Sequence, residues 1–289
     1  MGRGAAVPGS APGRHAGRGP RKGGFADLRQ RTLTALAMSV VAIAAVGVGD
    51  WAFAPLAALI AAGMGWELRR MTAGEFDLAG WLMGAAGAGA CLLTQALSYR
   101  YGLGWLALCL IPLAVMTRGE ARLARFTALI GTVYVAIACA ALVGLRDDDL
   151  YGWEAVLWVA LTVVATDIGG YFAGRAIGGP KLWPAVSPGK TWAGLGGGMA
   201  FAIVVGAVFS SATSGTLFHE VALVSAVMAV VAQGGDLAES ALKRRCGVKD
   251  SSNLIPGHGG LLDRMDGLLA AGMVAALVSF LRGQSVFIW

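Results

Sequence analysis

Gly235-Asp236-Leu237-Ala238-Glu239-Ser240-Ala241-Leu242-Lys243-Arg244 is a charged segment between two apolar runs, near 218–238 and 261–281. Each run is long enough to cross a bilayer. Polar residues continue through Lys249-Asp250-Ser251-Ser252, Pro256-Gly257-His258-Gly259-Gly260 and Asp263-Arg264-Met265-Asp266 until the second run takes over. Charge between membrane spans is costly to bury, so it points to function before structure.

Outward from this segment the chain is of the flanking kind. Of 289 residues, 56% are hydrophobic and 14% charged, where a soluble domain carries about a quarter charged residues. Mean hydropathy is +0.66. Repeated apolar runs whose backbone must be satisfied internally predict an all-α, polytopic integral membrane protein. About nine transmembrane helices are expected, near 32–49, 51–68, 78–97, 101–117, 125–145, 154–174, 192–211, 218–238 and 261–281. Residues 1–26 read as a disordered basic cytoplasmic tail and 27–289 as a transmembrane catalytic domain. A cleaved signal peptide is not expected, because the first apolar run starts late.

The net charge of +6 would suit nucleic acid, but the placement of the bases argues against that partner. With the N-terminus in the cytoplasm, the inner loops hold Arg69 and Arg70, Arg118, Arg122 and Arg125, then Arg175, Lys181 and Lys190, then Lys243, Arg244, Arg245 and Lys249. The outer side keeps Arg100, Arg146 and Arg282, so the asymmetry is a topology signal that leaves the C-terminus outside. Cys91, Cys109, Cys139 and Cys246 lack metal or redox spacing and read as small buried hydrophobes plus one loop thiol.

This topology brings Asp167, Asp236, Asp263 and Asp266, from three spans, to one depth on the cytoplasmic side, where a polar cavity is expected. Asp236, Ser240 and Lys243 share a helix face at i, i+4 and i+7, and Asp263 and Asp266 share another at i, i+3. Carboxylates and a hydroxyl around one cavity are hard ligands suited to Mg²⁺; interhelical salt bridges would use the same residues. Lys243, Arg244, Arg245 and Lys249 can bind phosphate or anchor to headgroups. The glycine turn around His258 can bring backbone amides close to an anion, with His258 either on phosphate or structural. Ser187-Pro188-Gly189-Lys190-Thr191 lacks the spacing of a phosphate-binding G-x-x-x-x-G-K-[ST] loop. It can hold phosphates or a base, or simply cap a helix. Trp66-Glu67 reads equally as an interfacial anchor or as a contact behind the site.

Ser240-x-Leu242-Lys243-Arg244, Lys249-Asp250 and Pro256-x-His258-Gly259-Gly260-Leu261-x-Asp263-Arg264-Met265-Asp266 resemble the signature of the phosphatidate cytidylyltransferase (CDP-diacylglycerol synthase) family. The resemblance extends to Asp167-x-Gly169-x-Tyr171 and Ser187-Pro188-x-Lys190-Thr191-Trp192, and departs from the family's pattern at Ala193 and Gly267. It implies Mg²⁺-dependent transfer of CMP from CTP to phosphatidic acid, with release of pyrophosphate, at the inner membrane. Asp236, Lys243, Arg244, Asp263 and Asp266 would then be catalytic. Asp236, Ser240 and Asp263 would hold Mg²⁺, with room for a second mono- or divalent cation near Asp250 and Asp266. Ser187, Lys190, Thr191, Lys249, Asp250, His258, Arg264 and Asp167 would contact substrate. On this reading Asp263→Asn abolishes turnover with folding near normal. CTP, phosphatidic acid and membrane lipids are the expected partners. The small residues at Gly194-x-Gly196-Gly197-Gly198 are compatible with close packing within one chain or in a homodimer. An ion- or phosphate-coupled transporter and another lipid-phosphate transferase are the competing classes. The gathering of polar residues on one face disfavours the transporter.

Overall fold

A computed structural model describes residues 24–213 and 218–288; the tail expected over 1–26 lies outside them up to residue 23. Among the described residues nine helices are long and apolar enough to cross a membrane. They are α1 (Gly24–Val48), α2 (Asp50–Ala73), α3 (Leu78–Ala96), α4 (Tyr99–Met116), α5 (Arg122–Arg146), α6 (Gly152–Ala176), α7 (Trp192–Thr213), α8 (Phe218–Arg245) and α9 (Leu262–Arg282). The all-α membrane class and the span order follow the sequence. Two additions do not. The segment read as a loop between the sixth and seventh spans folds into an antiparallel hairpin, β1 (Lys181–Trp183) and β2 (Ser187–Thr191). The eighth span runs on to Arg245 rather than ending near 238. Hydropathy stops at the first charges, but Ala238, Glu239, Ala241, Leu242, Lys243 and Arg244 are all good helix formers. At 1.5 Å per residue α8 is about 42 Å long, against roughly 30 Å of hydrocarbon, so its last turns carry their charges past the apolar layer.

Glycine decides how close α6 and α7 come. A Cβ on Gly197 would stand 2.8 Å from Gly169 O, one on Gly198 2.8 Å from Thr166 O, and one on Gly194 2.9 Å from Gly170 O. The glycine run thus packs within the chain, backbone against backbone. In α5 the turn Thr127–Gly131 is π-helical, and Gly131 lies against Leu68 of α2.

The loops 74–77, 117–121, 177–191 and 246–261 gather at one end of the bundle, here called the polar end. There Arg69, almost fully buried, grips two carboxylates: Asp77 at 2.6 and 2.8 Å and Glu120 at 2.6 and 2.7 Å. This ties α2 to the loops before α3 and α5. Asp77 also caps α3 through Gly80 N, and the Arg69 guanidinium beside it holds its carboxyl below the usual carboxylate range. The opposite end is closed by aromatic packing. Phe287, fully buried, lies 5.5 Å from Trp158, 5.8 Å from Tyr151 and 6.3 Å from Phe209. Trp158 Nε1 donates to Ser225 Oγ at 2.9 Å, linking α6 to α8.

Candidate active site

The polar end holds a continuous chain of charged side chains from α6, β2, α8, α9 and α2. Its first part is carried by α8. Asp236 Oδ2 pairs with Lys190 Nζ of β2 at 2.5 Å, and its Oδ1 accepts from Ser240 Oγ at 3.2 Å. Lys190 Nζ also donates to Gln233 O at 3.5 Å. Asp167 of α6 stands beside this pair and accepts from Gln233 Nε2 at 3.4 Å.

One turn beyond Asp236, Glu239 is buried and meets Lys243 Nζ at 2.9 Å. Lys243 reaches across to Asp263 Oδ1 of α9 at 2.5 Å. The helices α8 and α9 pack closely here, where a Cβ on Gly235 would stand 2.8 Å from Asp266 O, and this brings Asp236 and Glu239 next to Asp266. Apart from the Lys243 ion pair, no donor among the described residues satisfies the Glu239 oxygens. Buried and half-buried carboxyls this near one another favour a cation or a shared proton.

Asp263 is occupied differently. Its Oδ2 accepts from Ser251 N at 2.9 Å, Ser251 Oγ at 2.8 Å and Gly260 N at 2.8 Å, while Oδ1 holds Lys243. Behind it Glu67, with 0% of its surface exposed, accepts from Ser252 Oγ at 2.6 Å, Leu261 N at 2.8 Å, Leu262 N at 2.8 Å and Ser251 Oγ at 3.3 Å. The two amides belong to the first turn of α9, so a carboxylate carried by α2 caps that helix from outside. Gly260 lies against Glu67 and Ser251 so closely that a side chain there would strike both. That close approach is why the turn needs glycine at 260.

The remaining expected residues fall around this chain. Thr191 Oγ1 accepts from Gly194 N at 3.0 Å, so it caps α7. Ser187 lies on the same hairpin, opposite Trp183. Asp266 Oδ1 accepts from Gly267 N at 2.7 Å. Arg264 is exposed and donates to His258 O at 2.9 Å. His258 keeps a buried Nδ1 for which no described residue supplies a partner. Arg244 is exposed and donates to Val248 O at 3.3 Å, while Lys249 and Asp250 are exposed in the loop before Ser251. Arg244, Lys249 and Asp250 therefore rim the cluster and are not wired into it.

Of the two roles the sequence leaves open for Glu67, the structure shows the contact behind the site; Glu239, Ser251 and Gln233 have no role in the sequence reading. Glu239 had a legible signal, since it lies three residues after Asp236 and four before Lys243. Glu67 is an acid at the end of an apolar run, the kind of placement that membranes make expensive. Gln233 and Ser251 carried no signal beyond their neighbours.

The donor chemistry fits a hard divalent cation. Glu239 keeps oxygens without a hydrogen-bond donor near Asp236, Ser240 and Asp266. Among the described residues no three acidic, histidine or cysteine side chains converge on one point, which suits Mg²⁺ only in its usual mode, on one or two protein carboxylates with water and phosphate completing its shell. Asp263 has little lone-pair capacity left for a metal in this arrangement.

Residues 29–281 match the family described as the cytidylyltransferase family. The chain is 40% identical over 147 residues to the phosphatidate cytidylyltransferase of Brucella suis biovar 1, covering 51% of this chain and 54% of that one. It is 34% identical over 141 residues to the enzyme of that name from Bacillus subtilis, covering 48% and 52%. A third relative of that name, from Haemophilus influenzae, is 42% identical over 129 residues, covering 43% and 45%. The matched stretch thus spans about half the length of these relatives. Since the family match covers nearly every described helix, the chain belongs to the cytidylyltransferase family.

Proposed function

We propose that the protein transfers CMP from CTP to phosphatidic acid, forming CDP-diacylglycerol and releasing pyrophosphate, at the cytoplasmic face of the inner membrane. The observation that carries this reading is the gathering of Asp236, Glu239 and Asp266 where α8 meets α9, flanked by Lys190 and Lys243. Family membership supplies the cytidylyl chemistry. The names of the relatives suggest the lipid acceptor. The positive-inside charge pattern supports a cytoplasmic polar end and N-terminus, with the C-terminus outside.

The reaction joins two polyanions. A phosphate oxygen of phosphatidate attacks the α-phosphorus of CTP; the bond from that phosphorus to the β-phosphate oxygen breaks, and the electron pair leaves with pyrophosphate. The attacking oxygen is already anionic, so the site needs positioning and charge neutralisation more than a strong base. Asp236, with Ser240, Glu239 and Asp266, would hold Mg²⁺, which when bound would neutralise nucleotide phosphates. Asp263 and Glu67 hold the Ser251–Leu262 turn and Lys243 in place. Lys243 and Lys190, each on a carboxylate now, are positioned to exchange those partners for substrate phosphate. Arg244, Lys249 and Arg264 line the approach, where a headgroup arriving sideways from the bilayer meets a nucleotide arriving from water.

Turnover by the purified full chain in detergent tests this reading, using phosphatidate, Mg²⁺ and each of the four ribonucleoside triphosphates in turn. Lipid-linked nucleotide from CTP, lost on adding EDTA, is the expected result. Absence of product from every nucleotide would overturn it.

A further inference from the structure

We propose that the cavity between Asp167 and Gln233 binds the base of the nucleotide, with these two side chains telling cytosine from uracil. The proposal rests on the cytidylyl-transfer reading for the ligand's class; the cavity adjoins the acids that carry the chemistry through Lys190, which pairs with Asp236. A cavity of about 190 Å³ is walled by Asp167 and Tyr171 of α6, Lys190 and Thr191 of β2, and Gln233 of α8. Its size admits a nucleobase.

The floor of the cavity is bare backbone. Gly170 and Gly194 meet there, and a Cβ on Gly194 would stand 2.9 Å from Gly170 O. Two helices in contact without side chains leave a flat surface suited to a planar ring, and Tyr171 supplies an aromatic wall. The polar edge holds an acceptor and a donor side by side, Asp167 Oδ1 and Gln233 Nε2, joined by a long hydrogen bond of 3.4 Å. A carboxylate only accepts, and Nε2 only donates. Cytosine presents the complement, an amino donor at N4 next to an acceptor at N3, so the long bond would be replaced by two good ones. Uracil turns a carbonyl oxygen toward the carboxylate. Rotating the Gln233 amide can satisfy its N3–H, but the carbonyl oxygen at C4 still faces the Asp167 carboxylate.

Charge argues against phosphate in the same place. Asp167 would face it, and Lys190, the cation on the wall, reaches away from Asp167 to Asp236 at 2.5 Å. Lys190 instead marks the boundary. The ring lies on its Asp167 side, and the phosphates run toward Asp236 and Asp266.

The test measures binding of CMP and UMP to the purified full chain by titration calorimetry, and turnover with CTP and UTP, for wild type, Asp167→Asn and Gln233→Glu. Wild type is expected to prefer CMP, and Asp167→Asn to lower the cytosine-over-uracil preference about tenfold or more in both measurements. Gln233→Glu sets an acceptor against N3 and should weaken CMP about tenfold, a second route if the first variant does not purify. Equal loss with both nucleotides at unchanged preference would place Asp167 on metal or phosphate and overturn the proposal. A change confined to the KM for phosphatidate would make the cavity a lipid site, with the same consequence. Selective CMP binding by a wild type that transfers nothing would defeat the reaction and leave the pocket standing. Normal CTP turnover with preference intact in both variants would do the reverse.

Discussion

The two ends of the bundle are fastened by opposite means. At one end Phe287, Trp158, Tyr151 and Phe209 close the helices with buried rings, beside a neutral bond from Trp158 to Ser225 and a half-exposed ion pair of Arg146 with Asp50. At the other, α2, α8, α9 and β2 are joined through charges: Lys190 to Asp236, Lys243 to Glu239 and Asp263, and Glu67 to the first turn of α9. Aromatic closure needs nothing further. The polar closure is lopsided, because Asp167, Asp236, Glu239, Asp263 and Asp266 outnumber the lysines that touch them. An end built only for stability would balance its charges or omit them, since buried ion pairs are weak stabilisers. On the proposed reading, the surplus of acid is room for a cation that arrives with a substrate.

That contrast is broken most severely at Asp263. Asp263→Asn should lose turnover and also destabilise the chain by about 3–5 kcal/mol, because Lys243 and the Ser251 turn lose their shared partner. Turnover and denaturant unfolding in detergent check the two losses together. Asp266→Asn should separate them: turnover falls about a hundred- to a thousandfold, while the unfolding midpoint stays at or above that of the wild type as the neighbouring charges are relieved. Unchanged turnover would remove Asp266 from the chemistry. Phe287→Ala is the mirror image, costing about 3–5 kcal/mol of stability with turnover per folded molecule unchanged. A drop in specific activity would mean that the ends are coupled. Arg146→Ala removes the pair with Asp50, at 3.1 Å, and the bond to Val46 O. Screened by partial exposure, that should cost only about 0.5–1 kcal/mol.

The smallest effect concerns pH. Asp77 is held below its ordinary value of 3.8 by Arg69, so it takes up a proton more readily in the unfolded chain. Its contribution is present in full above that value and is lost as pH falls through the lower folded value. Unfolding followed from pH 6 down to pH 3 should show a shallower acid loss in Asp77→Asn than in the wild type. Parallel curves would exclude the clamp as their source.

Much of this was legible from the residues. Span order came from hydropathy, and the meeting of Asp167, Asp236, Asp263 and Asp266 came from topology alone, because acids at corresponding ends of antiparallel helices must share a depth. What each acid does was not legible. Asp263 and Asp266 share a helix face at i, i+3, yet one is consumed by Ser251, Gly260 and Lys243 while the other lies next to Glu239. The difference is set by a loop whose path depends on Glu67, more than 180 residues earlier in the chain. Read from the sequence, Asp263→Asn is a clean loss of activity; the four hydrogen bonds that it accepts make it a structural lesion as well. The hairpin at 181–191 was hidden because Pro188 and Gly189 are poor strand formers, and only its pairing across Lys181 and Thr191 makes it one.

The most direct test follows the phosphorus. Wild-type protein is given phosphatidate, Mg²⁺ and CTP labelled either at the α- or at the γ-phosphate, and the lipid and aqueous products are separated. Cytidylyl transfer predicts α-label in the lipid and γ-label in pyrophosphate. γ-Label in the lipid would make the protein a lipid kinase, and no label in the lipid from either CTP would contradict the account altogether.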